Sequence, residues 1–166
     1  MTRSISSEIH MFSSPNASLA DRNDLAPSLP PRCAADDGPK DVRASCFVLI
    51  VNDDPDLLDV TSFVIEGEGI AVATARNGEE ALALIGTGRV PALILLDLVM
   101  PVMNGWEFLA VAAVDPVLRP IPVVVLTAGE HAEVPGAREV VREPMDLKEL
   151  LRIVERYVRG DHGAGA

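Results

Sequence analysis

From Cys46 onward, short unbroken apolar runs alternate with longer segments whose apolar positions recur every three or four residues. The runs are CFVLIV (46–51), IAVATA (70–75), PALILLDL (91–98), IPVVVLTA (121–128) and AREVVRE (137–143). Such blocks predict five strands, mostly buried on both faces. The intervening segments predict helices. One begins at Asp54 with Pro55 in its first turn and ends at Gly67 or Gly69. A second opens on Asn77, with Glu80 spaced to complete a capping box, and a third covers 104–114. The last runs from Asp146 to Arg159, with Leu147, Leu150, Leu151, Val154, Tyr157 and Val158 on one stripe and Glu149 paired to Asp146 for capping. Between the fourth and fifth strands, GEHAEVPG has room for at most a turn or two of helix.

Strands alternating with helices imply an α/β fold: a parallel sheet covered on both faces, with right-handed crossovers. In such sheets the chemistry gathers at the carboxyl ends of the strands. Those ends carry Asn52-Asp53-Asp54, Asp97, Thr127-Ala128 and Arg142-Glu143-Pro144.

Residues 1–44 follow a different pattern. Ser, Pro, Asp and Asn dominate, and apolar residues stand singly without a period. A segment that buries so little is expected to be a disordered leader; the alternative is a short partner-binding element around Ile9 to Phe12. Residues 160–166, GDHGAGA, read as a flexible tail too short for an output domain.

The composition is 48% apolar, 23% charged and 4% aromatic, which suits an aliphatic α/β core. A net charge of −11 argues against nucleic-acid binding by this chain alone. No stretch approaches a membrane span and no secretory signal is visible, so a cytoplasmic protein is expected. Cys33 and Cys46 form no CxxC pair, and Cys46 reads as a small core residue in a reducing compartment. His10, His131 and His162 lie in loops or tails without partners.

Four segments in order, VLIVNDDPDLLDV, LILLDLVMPVMNGWEFL, PVVVLTA and REPMDLKELL, resemble the response-regulator receiver domain. The likeness covers 45–159, and its most specific piece is Asp97-x-x-Met100-Pro101-x-Met103-x-Gly105. It implies a flavodoxin-like (βα)5 three-layer sandwich with strand order 2-1-3-4-5 and, here, a shortened fourth helix. It further implies a single-domain response regulator that takes a phosphoryl group at Asp97 in a phosphorelay, from a sensor histidine kinase or histidine phosphotransfer protein. Signalling would then run by contact with a downstream protein, and a homodimer is compatible with it. Mg²⁺ would be held by Asp53, Asp97 and the backbone carbonyl of Val99. Thr127 would donate its hydroxyl to a phosphoryl oxygen and Ala128 would leave access. Catalysis would extend no further than Mg²⁺-dependent self-phosphorylation and self-dephosphorylation.

The chain departs from the family pattern in several places. Asn52 stands where the family has the first of two acids. Glu143 stands where the family has the lysine that pairs with the phosphoryl group, and a carboxylate there repels that group instead. Val140 replaces the switch aromatic. Arg142 is adjacent to Glu143, but neighbouring strand residues face opposite ways. Glu143 either faces the site or points to solvent. These departures support the alternative of a pseudo-receiver interaction module independent of phosphorylation. A Mg²⁺-dependent phosphohydrolase commonly has a second acid two residues after its nucleophile, where this chain has Val99.

Overall fold

Five parallel strands carry the architecture in the computed structural model, which describes residues 46–129 and 133–159. In chain order the elements are β1 (Phe47–Val51), α1 (Pro55–Gly67), β2 (Ala71–Ala75), α2 (Gly78–Gly86), β3 (Leu93–Asp97), α3 (Gly105–Val114), β4 (Val123–Thr127), β5 (Glu139–Arg142) and α4 (Leu147–Arg159). The sheet order is β2-β1-β3-β4-β5, every neighbouring pair parallel. This is the flavodoxin-like arrangement expected from the alternation. The leader and the tail lie outside the described residues.

Alternation along the strands sorts the core into two layers. Phe47, Leu49, Val51, Ile94, Leu96 and Val125 point to one face and pack with residues of α2 and α3, among them Ala81, Ile85, Phe108 and Leu109. Val48, Ile50, Leu93, Leu95, Val124 and Leu126 point to the other and pack with Leu58 and Ile65 of α1 and Leu150, Ile153 and Val154 of α4. A sheet with helices on both faces shields its aliphatic strands from water, which is the main stabilising term for such a fold.

The helix starts follow the expected chemistry. Asp54 caps α1 by accepting the N–H groups of Asp56 and Leu57 at 2.9 and 3.3 Å, with Pro55 next to it. Beyond α1 the chain turns through Gly69 at φ 76°, a region closed to most side chains. Asn77 accepts from Glu80 N–H, while the Glu80 carboxylate accepts from Arg76 N–H at 2.8 Å. Asn104 and Glu107 form a complete capping box on α3. Asp146 caps α4 through the N–H of Lys148 rather than that of Glu149.

Two further expectations change. Between β4 and β5 the described residues contain no helix, only a turn near Gly136, so the shortening expected there is more severe. Val134 from this connection is 5% exposed and fills core space on the α2–α3 face. Cys46 is buried as expected but is disulfide-bonded rather than a free thiol, which does not favour a reducing compartment. No helix of the described residues is long and apolar enough to cross a membrane.

Candidate functional site

Strand register brings the candidate residues to one end of the sheet. Val51 pairs with Leu96, Asp97 with Leu126, and Thr127 with Arg142. β1, β3, β4 and β5 therefore finish nearly level, and Asn52 to Asp54, Asp97, Thr127 and Glu143 leave the sheet side by side.

Asp97 is half-exposed at the end of β3, and its Oδ1 accepts the N–H of Val99 at 3.2 Å. Burial pushes its carboxyl above the ordinary range; the N–H groups of Val99 and Leu98 pull it back, and the charge of Asp53 pushes it up again. Asp53 is exposed. Asn52 is 5% exposed, and its Oδ1 accepts the N–H of Asp54 at 2.8 Å, so its amide helps to shape the turn into α1. Thr127 is buried at the end of β4, and its Oγ1 accepts the N–H of Gly129 at 3.1 Å, which leaves the hydroxyl hydrogen for another acceptor. Ala128 beside it is exposed.

Glu143 lies next to the same site. Its N–H donates to the Thr127 carbonyl at 3.0 Å, continuing the β4–β5 ladder without a bulge. Burial, then the charge of Asp97, then that of Asp54, hold its carboxyl above the ordinary range. The side chain is half-buried and feels the charge of both acids. Arg142 is exposed, one residue earlier and on the opposite pleat. Val140 packs against the α2–α3 core layer.

The loop after Asp97 explains the Met-Pro-x-Met-x-Gly spacing. Met100 is buried, and the Met103 carbonyl accepts the N–H of Gly78 at 3.0 Å, tying the loop to α2. Gly105 N–H donates to the Leu98 carbonyl at 3.0 Å. A Cβ on Gly105 would stand 2.8 Å from Leu98 Cα and collide with the Asp97 carbonyl oxygen. Val102, between the two methionines, holds φ 68°, an uncommon conformation for a β-branched residue. That strain, and the reach of Asp54 to Glu143, had no signal in the sequence beyond Asp54's role as a helix cap.

Donor chemistry at the site suits a divalent cation with an oxygen shell. Among the described residues no three His, Cys, Asp or Glu side chains stand together as a metal cage. The expected set of Asp53, Asp97 and the Val99 carbonyl would supply two carboxylates and one carbonyl. Mg²⁺ typically keeps several waters and takes one or two carboxylates from protein. The charge of Asp53 adds to the forces that push the Asp97 carboxyl upward, and a bound cation would offset it.

Comparison with known proteins agrees with this geometry. The family described as response regulator receiver domain matches residues 48–155. An uncharacterised 14.6 kDa protein of Leptolyngbya boryana is 34% identical over 120 residues, covering 69% of this chain and 91% of that one. The DNA-binding response regulator MtrA of Mycolicibacterium smegmatis is 36% identical over 118 residues, 68% of this chain but only 50% of its own length. The chain thus spans about half of that longer regulator. Among solved structures, the chemotaxis response regulator CheY4 of Vibrio cholerae superposes with a TM-score of 0.61 at 28% identity, covering 68% of this chain and 98% of its own.

Proposed function

Because the chain belongs to the response-regulator receiver family, we propose that it accepts a phosphoryl group at Asp97 from a sensor histidine kinase or histidine phosphotransfer protein and signals through protein contact. The observation that carries this reading is the convergence of Asp97, Asp53 and Thr127 at level strand ends, with Asp97 half-exposed and oriented by the N–H of Val99.

In this reading an Asp97 oxygen forms a bond to phosphorus as the phosphorus–nitrogen bond of the donor phosphohistidine breaks and the imidazole departs. Asp53, Asp97 and the Val99 carbonyl would hold Mg²⁺, whose charge offsets that of the carboxylates and the phosphoryl oxygens. Val99 N–H fixes the Asp97 carboxylate. Thr127, held by its contact to Gly129, donates its hydroxyl to a phosphoryl oxygen, and the small Ala128 keeps the approach open. Glu143 adds negative charge where the family places a cation, and so slows the transfer. Incubation with Mg²⁺ and a small phosphodonor, followed by intact mass, should show one phosphate adduct that Asp97→Ala abolishes. No adduct on the wild type, or an adduct unaffected by Asp97→Ala, refutes the proposal.

The proximity of Glu143 to Asp97 favours a second reading, an interaction module that binds its partner without phosphorylation. Partner affinity unchanged by Asp97→Ala supports it; affinity that changes with phosphorylation removes it.

A further inference from the structure

The last turn of α3 is left electrostatically open. Asp115 N–H donates to the Val111 carbonyl at 3.1 Å and closes the helix ladder. Pro116 has no N–H to continue it. The N–H groups of Val117 and Leu118 turn instead to Asp115 Oδ1, at 2.7 and 3.0 Å. Among the described residues, no donor reaches the carbonyls of Ala112, Ala113 and Val114 or the second oxygen of Asp115. Neither α2 nor α3 carries a basic residue in its last turn. Such helix ends hold a partial negative charge that a cation stabilises.

This negative end borders an apolar groove of about 430 Å³ between the ends of α2 and α3, away from Asp97. Leu82, Ile85, Val90, Val111, Val117 and Leu118 line it, and Asp115 is its one charged residue. The apolar surface continues onto the rim, where Val114 is 83% exposed and Val117 49%. The cations nearest in sequence leave Asp115 unpaired. The Arg89 guanidinium lies 4.7 Å over the Phe47 ring, and among the described residues Arg119 forms no ion pair with Asp115.

We propose that this groove docks a partner protein through an apolar segment with a lysine or arginine beside its buried side chains. The apolar groups fill the groove, and the cation lies against Asp115 and the open carbonyls of α3. Charge complementarity selects this occupant. An apolar group alone leaves the carboxylate and the helix end uncompensated at the contact. A second copy must approach against a net charge of −11 on each chain, whereas the same charge draws a basic partner in. Val114 and Val117 carry the apolar surface outside the groove, which suits the footprint of a protein segment. The docking requires nothing of Asp97.

Methyl NMR on the full chain tests the proposal with three synthetic amphipathic peptides. The first has leucine at helical i, i+3, i+4, i+7 spacing and lysine elsewhere. The second replaces its lysines with glutamate, and the third replaces its leucines with serine. The leucine–lysine peptide should shift the methyl resonances of Leu82, Val111 and Leu118, and the other two should bind about tenfold more weakly or not at all. Asp115→Asn keeps the Oδ1 acceptor and removes the charge, so it should weaken that binding about threefold. Val117→Ser, on the exposed rim, should weaken it as well, while Glu66→Gln on α1 should leave it unchanged. No shift at these methyls overturns the proposal, as does equal binding of either control peptide or an equal loss from Glu66→Gln and Asp115→Asn. So do methyl shifts that follow protein concentration without peptide, which would place a second copy in the groove.

Discussion

The Glu143 carboxyl lies within electrostatic influence of Asp97 past the end of β4, and after burial the charge of Asp97 is the largest influence holding Glu143 above its ordinary range. Each addition of negative charge at Asp97 is therefore opposed by a neighbour that receivers ordinarily make positive. Glu143→Lys should raise the rate of phosphate uptake from a small donor by ~10-fold or more, the scale of a fixed charge at a reacting phosphoryl group. Time-resolved intact mass measures it. Equal rates would place Glu143 outside the reacting site.

Acid titration should also report on this pair. Asp97 and Glu143 both have raised carboxyl values in the folded chain, so folding favours their protonated forms. Their contribution is fully present below about pH 4, the unfolded range, and is lost as pH rises through the folded values. At neutral pH both carboxylates are a net burden. Asp97→Asn and Glu143→Gln should each raise the melting temperature at pH 7, modestly because both groups are solvent-screened, with the gain disappearing near pH 4. Thermal unfolding across that range would expose an opposite slope.

Gly105 leaves no space for a methyl group. Leu98 Cα would lie 2.8 Å from the new carbon, and both obstacles are backbone. Gly105→Ala should destabilise by ~1–3 kcal/mol, as overpacking does, and displace Asp97. Chemical denaturation and the Asp97 phosphorylation rate should fall together.

Val102 holds φ 68° while 72% exposed, so little packing repays its conformation. Val102→Asn, a residue that tolerates the left-handed region, should stabilise the fold by ~0.5–1 kcal/mol. An unchanged or lower denaturation midpoint would mean the loop is not strained there.

Among the described residues of the β4–β5 connection, Val134 is the buried side chain. Val134→Ala should destabilise by ~1–2 kcal/mol through the space left on the α2–α3 face. A surface-like change under about 0.5 kcal/mol would show that this contact is dispensable.

Most of the sheet was readable from the chain because its strands are unbroken aliphatic blocks, and two-sided burial demands such blocks. Asp97 and Thr127 were legible because a parallel sheet gathers strand ends. Other features depend on geometry that composition does not encode. Val134 is the one branched apolar residue in GEHAEVPG, without a period to mark it. The direction of Glu143 rests on the ladder bond to Thr127, made only once β4 and β5 are in register. The groove between α2 and α3 arises from how two helix ends approach, which neither helix specifies alone.

The crossover from β4 to β5 occupies 128–138, close to the minimum length for joining parallel strands, and its described part is pinned to the core by Val134. Its described residues hold no helix to swing as a lever. Under the proposed phosphorylation of Asp97, a partner on this side of the molecule would sense altered charge more than altered shape.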